Sequence, residues 1–165
     1  MIKSPIIHIS HKQSGFTLLE VLITLVILAI GLLGLAGLQA VGLQQNHSAY
    51  MRSQATQAAY SIMDRMRANP VEMAAIGNKY LTSPKDANVQ AGCTAGGCDE
   101  TQMAENDLFE WNEALNSSLP NLAVPVDLGN ITVNGSIYTI TINWDDNRDG
   151  AINNADPNFQ VRFQP

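Results

Sequence analysis

Residues 16–38 are an almost continuous run of apolar side chains, interrupted by a single charge at Glu20. A hydrocarbon core of about 30 Å is crossed by roughly 20 apolar residues in a helix rising ~1.5 Å per residue, so the run predicts one bilayer-spanning helix. The rest of the chain must then fold from a tethered N-terminal end. A carboxylate near mid-membrane costs roughly 2.5–3.5 kcal/mol on insertion scales, so Glu20 needs a physical reason. One reason is position alone: about a turn inside the membrane face, its side chain can reach back to the headgroups.

A second reason comes from the residues in front. A short polar leader with Lys3 and Lys12 ends in Gly15, and Phe16-Thr17-Leu18-Leu19-Glu20 opens the helix. This order closely resembles the class III signal of type IV pilins and pseudopilins. The resemblance implies that a prepilin peptidase cuts after Gly15, that the new N-terminus at Phe16 is methylated, and that the apolar helix is kept. An ordinary secretory signal has a shorter apolar segment and is cut on its far side, at a small-residue site. Within a bundle of such helices the Glu20 carboxylate would neutralise an ammonium buried beside it, which lowers the cost of placing either charge there. On this reading Glu20 is an assembly residue.

Composition narrows the remaining classes. The 165 residues carry a formal net charge of −6. Both leader lysines would leave on cleavage and no acid with them, so the mature chain is more acidic still, which argues against nucleic-acid binding. Positive charge in the leader favours an N-in orientation, although Arg52, Arg65 and Arg67 behind the span weaken that rule. Cys93 and Cys98 are the only two cysteines. An even pair close in sequence fits an oxidising compartment outside the inner membrane. Their four-residue spacer is not the redox C-x-x-C pattern, and Gly96-Gly97 permits a tight path. The pair is expected to form a structural disulfide contributing about 2 kcal/mol through the unfolded chain.

The helical period continues past Leu43. Ala55, Ala58, Ala59, Ile62, Met63 and Met66 recur at three- and four-residue steps, while Arg52, Gln57, Asp64 and Arg67 fall elsewhere. Asn69-Pro70 should end the helix, because the residue before proline is pushed out of the helical region. A helix from Phe16 to Ala68 would be about 80 Å long, more than any bilayer needs, so half of it must lie along a soluble domain. Gly31, Gly34, Gly37 and Gly42 read either as a close-packing face or as ordinary membrane glycines, each costing ~1 kcal/mol in a helix interior.

Residues 71–98, rich in Ala, Gly, Asn and Thr, are expected to be mostly loop. A second helix is predicted from about Glu100 to Ser117, with Ala104, Leu108, Trp111 and Leu115 on one face, Asp99 and Gln102 resembling a capping box, and Pro120 as a stop. Alternation at Ile131 and Val133, at Tyr138, Ile140, Ile142 and Trp144, and at Phe159, Val161 and Phe163 predicts three antiparallel strands. Asn134-Gly135 signals a hairpin between the first two.

The stretches Ser48-Ala49-Tyr50, Arg52-Ser53-Gln54-Ala55, Asp64-Arg65-Met66-Arg67-Ala68-Asn69-Pro70 and Asp107-Leu108-Phe109-Glu110-Trp111 resemble the PilV family of type IV minor pilins, the pilus modification proteins. That resemblance implies an α+β, type IV pilin-like fold: a long N-terminal helix packed on a small antiparallel sheet, with a second short helix. It divides the chain into a leader (1–15), a transmembrane or assembly half-helix (16–43) and a soluble pilin domain (44–165). It also implies a place in the inner membrane with the soluble domain in the periplasm, then in the pilus. The implied partners are other minor pilins, the major pilin, a tip-associated adhesin, the prepilin peptidase and the inner-membrane assembly platform. The same leader would serve a minor pseudopilin of a type II secretion system, and an uncleaved anchor would give a membrane-tethered binding module.

One stretch carries possible site chemistry. From Asp145 to Asp156, oxygen-bearing side chains fall at Asp145, Asn147, Asp149, Asn153 and Asp156, with Gly150 at the sixth place and a backbone carbonyl available at Ala151. This is the spacing of calcium loops in which alternating carboxylates wrap a hard cation. Asp replaces the usual Glu at the last place, and strands replace the flanking helices. The alternative is a solvated acidic hairpin loop. No cofactor is otherwise required. His8 and His11 belong to the leader, His47 stands alone and neither cysteine has a base near it in sequence, so no enzymatic constellation is expected.

Overall fold

The computed structural model describes residues 15–120 and 127–165, so the expected leader at 1–14 lies outside the described residues. The chain divides into two compact units, Met1–Gln44 and Gln45–Pro165. In the first, the described backbone is the beginning of helix α1, which runs Leu18–Ala68. It starts two residues later than the sequence suggested, because Thr17 takes the cap: its Oγ1 accepts the Glu20 N–H at 3.2 Å, and its carbonyl accepts from Glu20 and Val21 at 3.1 and 3.3 Å. From Leu18 to Gln44 every residue is exposed except the half-exposed Gly42.

In the second unit α1 buries Met51, Ala55, Ala59, Ile62, Met63 and Met66. This is the predicted stripe with Met51 added and Ala58 only half-buried. The helix stops at Asn69-Pro70 as expected, but the chain does not then become loop. Pro70 occupies the first turn of a short helix α2 (Pro70–Ala74), whose N-cap is Asn69. Single 3₁₀ turns follow at Lys79–Leu81 and Pro84–Asp86, and helix α3 spans Ala91–Ala95. Elements of three to five residues are too short to show a period, which hid them in the sequence. Helix α4 (Glu100–Ser118) begins with the predicted reciprocal capping box of Asp99 and Gln102.

The sheet is a three-stranded antiparallel meander, β1 (Gly129–Asn134), β2 (Ile137–Asn143) and β3 (Asn158–Phe163), in the order β1-β2-β3. Asn134 pairs with Ile137, so Gly135 and Ser136 form the two-residue turn. Gly135 has φ +62°, as expected of glycine at the first central position of a II′ turn. Ile131, Tyr138, Ile140, Ile142 and Phe163 point inward and join the stripe of α1 and the Ala104, Leu108, Trp111 and Leu115 face of α4 in one core. Trp111 is its hinge pin: Nε1 donates to the Ala58 carbonyl of α1 at 3.0 Å. A Cβ at Gly129 would lie 2.4 Å from Trp111 Cη2 and 2.8 Å from Leu115 Cδ1, so only glycine lets β1 approach α4 this closely.

Candidate functional site

The N-terminal end is built from Gly15, Phe16, Thr17 and Glu20. Phe16 is 84% exposed, and a Cβ at Gly15 would meet no atom within 4 Å. No steric demand inside the described chain requires this glycine. Thr17 and Glu20 stand in the T-x-x-E spacing of a capping box, a signal that the sequence reading passed over because it weighed Glu20 only as a charge. Glu20 is exposed, and its backbone rather than its carboxylate is committed to the cap.

The acidic loop joins β2 to β3, and its carboxylates are largely occupied by its own backbone. Asp145, 4% exposed, accepts the N–H groups of Asp149 and Gly150 at 3.2 and 3.0 Å. Asp156 accepts from Asp146 and Asn153 at 3.2 and 2.9 Å. Asn147 accepts from the Asp149 N–H at 2.9 Å, Asp149 from the Ala151 N–H at 2.9 Å, and Asn153 from the Ala155 N–H at 2.8 Å. Hydrogen bonds from the Asn147 side chain first, then from the Ala151 backbone, hold the Asp149 carboxyl below its ordinary pKa. Gly150 (φ +87°) and Arg148 (φ +58°) take the left-handed turns that the wrap requires. Arg148 Nη2 lies 3.2 Å from His47 Nε2, which gives the lone histidine a contact that sequence separation concealed. Among the described residues, no three His, Cys, Asp or Glu side chains stand where they could hold one ion together.

A polar network ties α1, the 3₁₀ turn at Lys79–Leu81 and α4. Arg65 Nη1 donates to Asp107 Oδ1 at 3.0 Å and to Glu110 Oε2 at 2.6 Å, and Tyr80 Oη donates to Asp107 Oδ2 at 2.7 Å. Partial burial pulls the Arg65 pKa down, but hydrogen bonds to Glu110 and Asp107 outweigh it and the net shift is upward. The Arg65 hydrogen bond, opposed by burial, holds Glu110 below its ordinary value. Burial, followed by the Asp107 contact, raises Tyr80. The network holds α1, the 3₁₀ turn and α4 together. Cys93 and Cys98 are joined by the expected disulfide across the end of α3.

Residues 10–36 match the family model described as Prokaryotic N-terminal methylation motif, and residues 37–109 match the one described as Type IV pilin Tt1218. The matches support a type IV pilin. The first takes in Gly15, Phe16 and Glu20; the second covers the remainder of α1 and reaches Phe109 in α4 of the pilin domain. The long apolar helix, small antiparallel sheet and short helices give the chain a type IV pilin-like α+β fold. The sheet and the acidic loop lie beyond the matched residues, so only their geometry speaks for them. Comparisons with curated proteins and with solved structures find no match.

Proposed function

We propose that this pilin is a minor pilin of the PilV type, which joins other minor pilins in a complex that primes type IV pilus assembly or caps its tip. Its role is structural. The observation that carries this reading is the N-terminal end: a glycine that no described neighbour requires precedes a capped helix whose first stretch, Leu18–Val41, is bare on every side, beginning within the methylation-motif match. Such a helix needs lipid before assembly and neighbouring helices after it. The partners are then the major pilin, other minor pilins, a tip-associated adhesin, the prepilin peptidase and the assembly platform of the inner membrane, with the soluble unit in the periplasm. Calcium is an optional ligand in this reading, supported by the spacing of Asp145, Asn147, Asp149, Asn153 and Asp156.

Intact mass of the purified protein tests the proposal. The mature chain is expected to begin at a methylated Phe16, and Gly15→Trp to leave the precursor whole. An uncleaved wild-type chain would instead support a tethered binding module. Glu20→Ala is expected to insert normally and to lose co-assembly with other pilins, since it removes a charge that is costly in lipid. Undiminished co-assembly of that variant would remove the charge-pairing argument.

A further inference from the structure

The core of the second unit takes in Ala87 and then Ala104, and among the described residues nothing between them. Over those positions the chain makes an excursion, and Cys93 and Cys98 both lie in it, half-buried. Its first part is fastened to α4: the Gln90 N–H donates to Asn106 Oδ1 at 3.0 Å, and the Gln90 and Asn88 side chains donate to Glu105 at 2.9 and 3.3 Å. Its last part runs into Asp99, the N-cap of α4, whose capping box is made by Asp99 and Gln102. A disulfide that staples a domain joins parts that would otherwise separate, and its effect grows with the length of loop it closes. This one joins residues five apart, on a segment that lies outside the core.

The backbone closes the same turn. The Gly92 carbonyl accepts the N–H of Gly96, which sits at φ +97°, and the N–H of Gly97 at 2.9 Å. A Cβ at Gly92 would stand 2.6 Å from the Gly97 carbonyl oxygen, so glycine is required for the ring to close this tightly. Opening the S–S bond therefore takes nothing from the core, and two thiols separated by four residues recombine readily, because so short a loop costs little to close. These are the properties of a reversible couple. We propose that Cys93–Cys98 is a redox latch, opened by a dithiol and reclosed by disulfide exchange, which sets whether residues 91–98 are held or loose at the entry to α4. A thiolate of the dithiol attacks one of the two sulfurs, the S–S bond breaks, and the other sulfur leaves as a thiolate and takes up a proton. The second thiolate of the dithiol then attacks the mixed disulfide, so the dithiol departs as a disulfide and the chain keeps two thiols. Without the bond, the five-residue α3 is far too short to persist as an isolated helix. The inference goes beyond the pilin reading and does not depend on it.

The test equilibrates the full chain in detergent micelles with mixtures of reduced and oxidised dithiothreitol. Free thiols are counted by maleimide mass tagging, the fold is followed by thermal melting, and the segment by amide hydrogen exchange. Two thiols are expected to appear without denaturant while the melt stays cooperative. Exchange at residues 91–98 should quicken about tenfold or more while the buried turns of α4 stay protected, and oxidised dithiothreitol should reverse both changes. The double variant Cys93→Ser, Cys98→Ser should exchange fast at 91–98 whatever the reductant. Gly92→Ala should shift the equilibrium about tenfold toward the dithiol, since its methyl group crowds the closed ring. A bond that opens only in urea, or whose opening abolishes the cooperative melt, would be a structural staple and would overturn the proposal. So would exchange at 91–98 that ignores reduction, or a Gly92→Ala chain that is reduced no more easily than wild type.

Discussion

Two stretches of one helix meet opposite fates. Leu18–Leu43 is apolar on all sides and buries nothing within its unit, whereas residues 45–68 are apolar along one stripe and bury six side chains. The side chains differ in kind as well. The bare stretch is mostly Leu, Ile and Val interspersed with Gly and Ala, and the buried stripe is Ala and Met with a single Ile. An all-round apolar helix is stable only where its whole surround is apolar, while a striped one needs a single partner, which the same chain supplies here through α4 and the sheet. A matched pair of surfaces within the chain reads as a domain; a surface with no match reads as an assembly or membrane element.

The largest expected effect breaks the matched half. Trp111 is 3% exposed and pins α4 to α1 through the Ala58 carbonyl. Trp111→Ala should therefore cost about 3–5 kcal/mol, read by urea unfolding of the second unit, Gln45–Pro165, in the full-length protein. Helicity of the apolar stretch should survive in micelles, since Trp111 belongs to the other compact unit. A loss below about 1 kcal/mol would mean that α4 is not what the stripe packs against.

A smaller change sharpens the same point from the sheet side. Gly129→Ala drives a Cβ into the Trp111 ring, and overpacking of this kind costs about 1–3 kcal/mol. In a Trp111→Ala background the penalty should largely vanish. Additive costs in the double variant would show that the two residues do not meet.

How much of this was legible depends on element length and on distance along the chain. The stripe ending at Met66, the Asp99–Gln102 box and the alternation in β2 are local patterns that run over many residues, and the fold followed from them. The turns at 79–86 and the helix at 91–95 were missed because each is shorter than the period that would reveal it. Gly129 looked like an unremarkable glycine at a strand start, because its reason lies at Trp111 and Leu115 on another element. At the N-terminal end the glycine and the glutamate were visible as a motif. The Thr17 cap was written in the same residues and went unweighed.

Acid titration probes the seam between α1 and α4 more gently. Glu110 has a lowered pKa in the folded chain, so its contribution is present above the unfolded value of about 4.3 and is lost as pH falls through the folded value. Its side chain is 45% exposed, so screening limits the effect to about 1 kcal/mol. The melting temperature should hold from neutral pH to about 5 and then fall, with Glu110→Gln removing part of the fall. Tyr80, raised by burial first, works in the other direction: its contribution is complete below about pH 10 and is lost above. An acid limb identical in Glu110→Gln and wild type would show that the Arg65 pair contributes nothing.

The smallest effect concerns calcium at the acidic loop, on the structured side of the comparison. Most of the oxygens that would bind the ion already accept backbone N–H groups, so the wrapped turn persists without it and calcium has little left to order. The site should therefore lie at the weak end, with a dissociation constant on the order of 10⁻³ M. Mass action at about 1 mM calcium then gives only ~0.4 kcal/mol, a small but measurable rise in melting temperature against chelator. Asp149→Ala is the control, because this exposed carboxylate supports only local turns. It should abolish the calcium response while leaving metal-free melting nearly unchanged. If 10 mM calcium leaves wild-type melting where chelator does, the loop is held by its own amides alone, and its Asp and Asn spacing reflects turn geometry only.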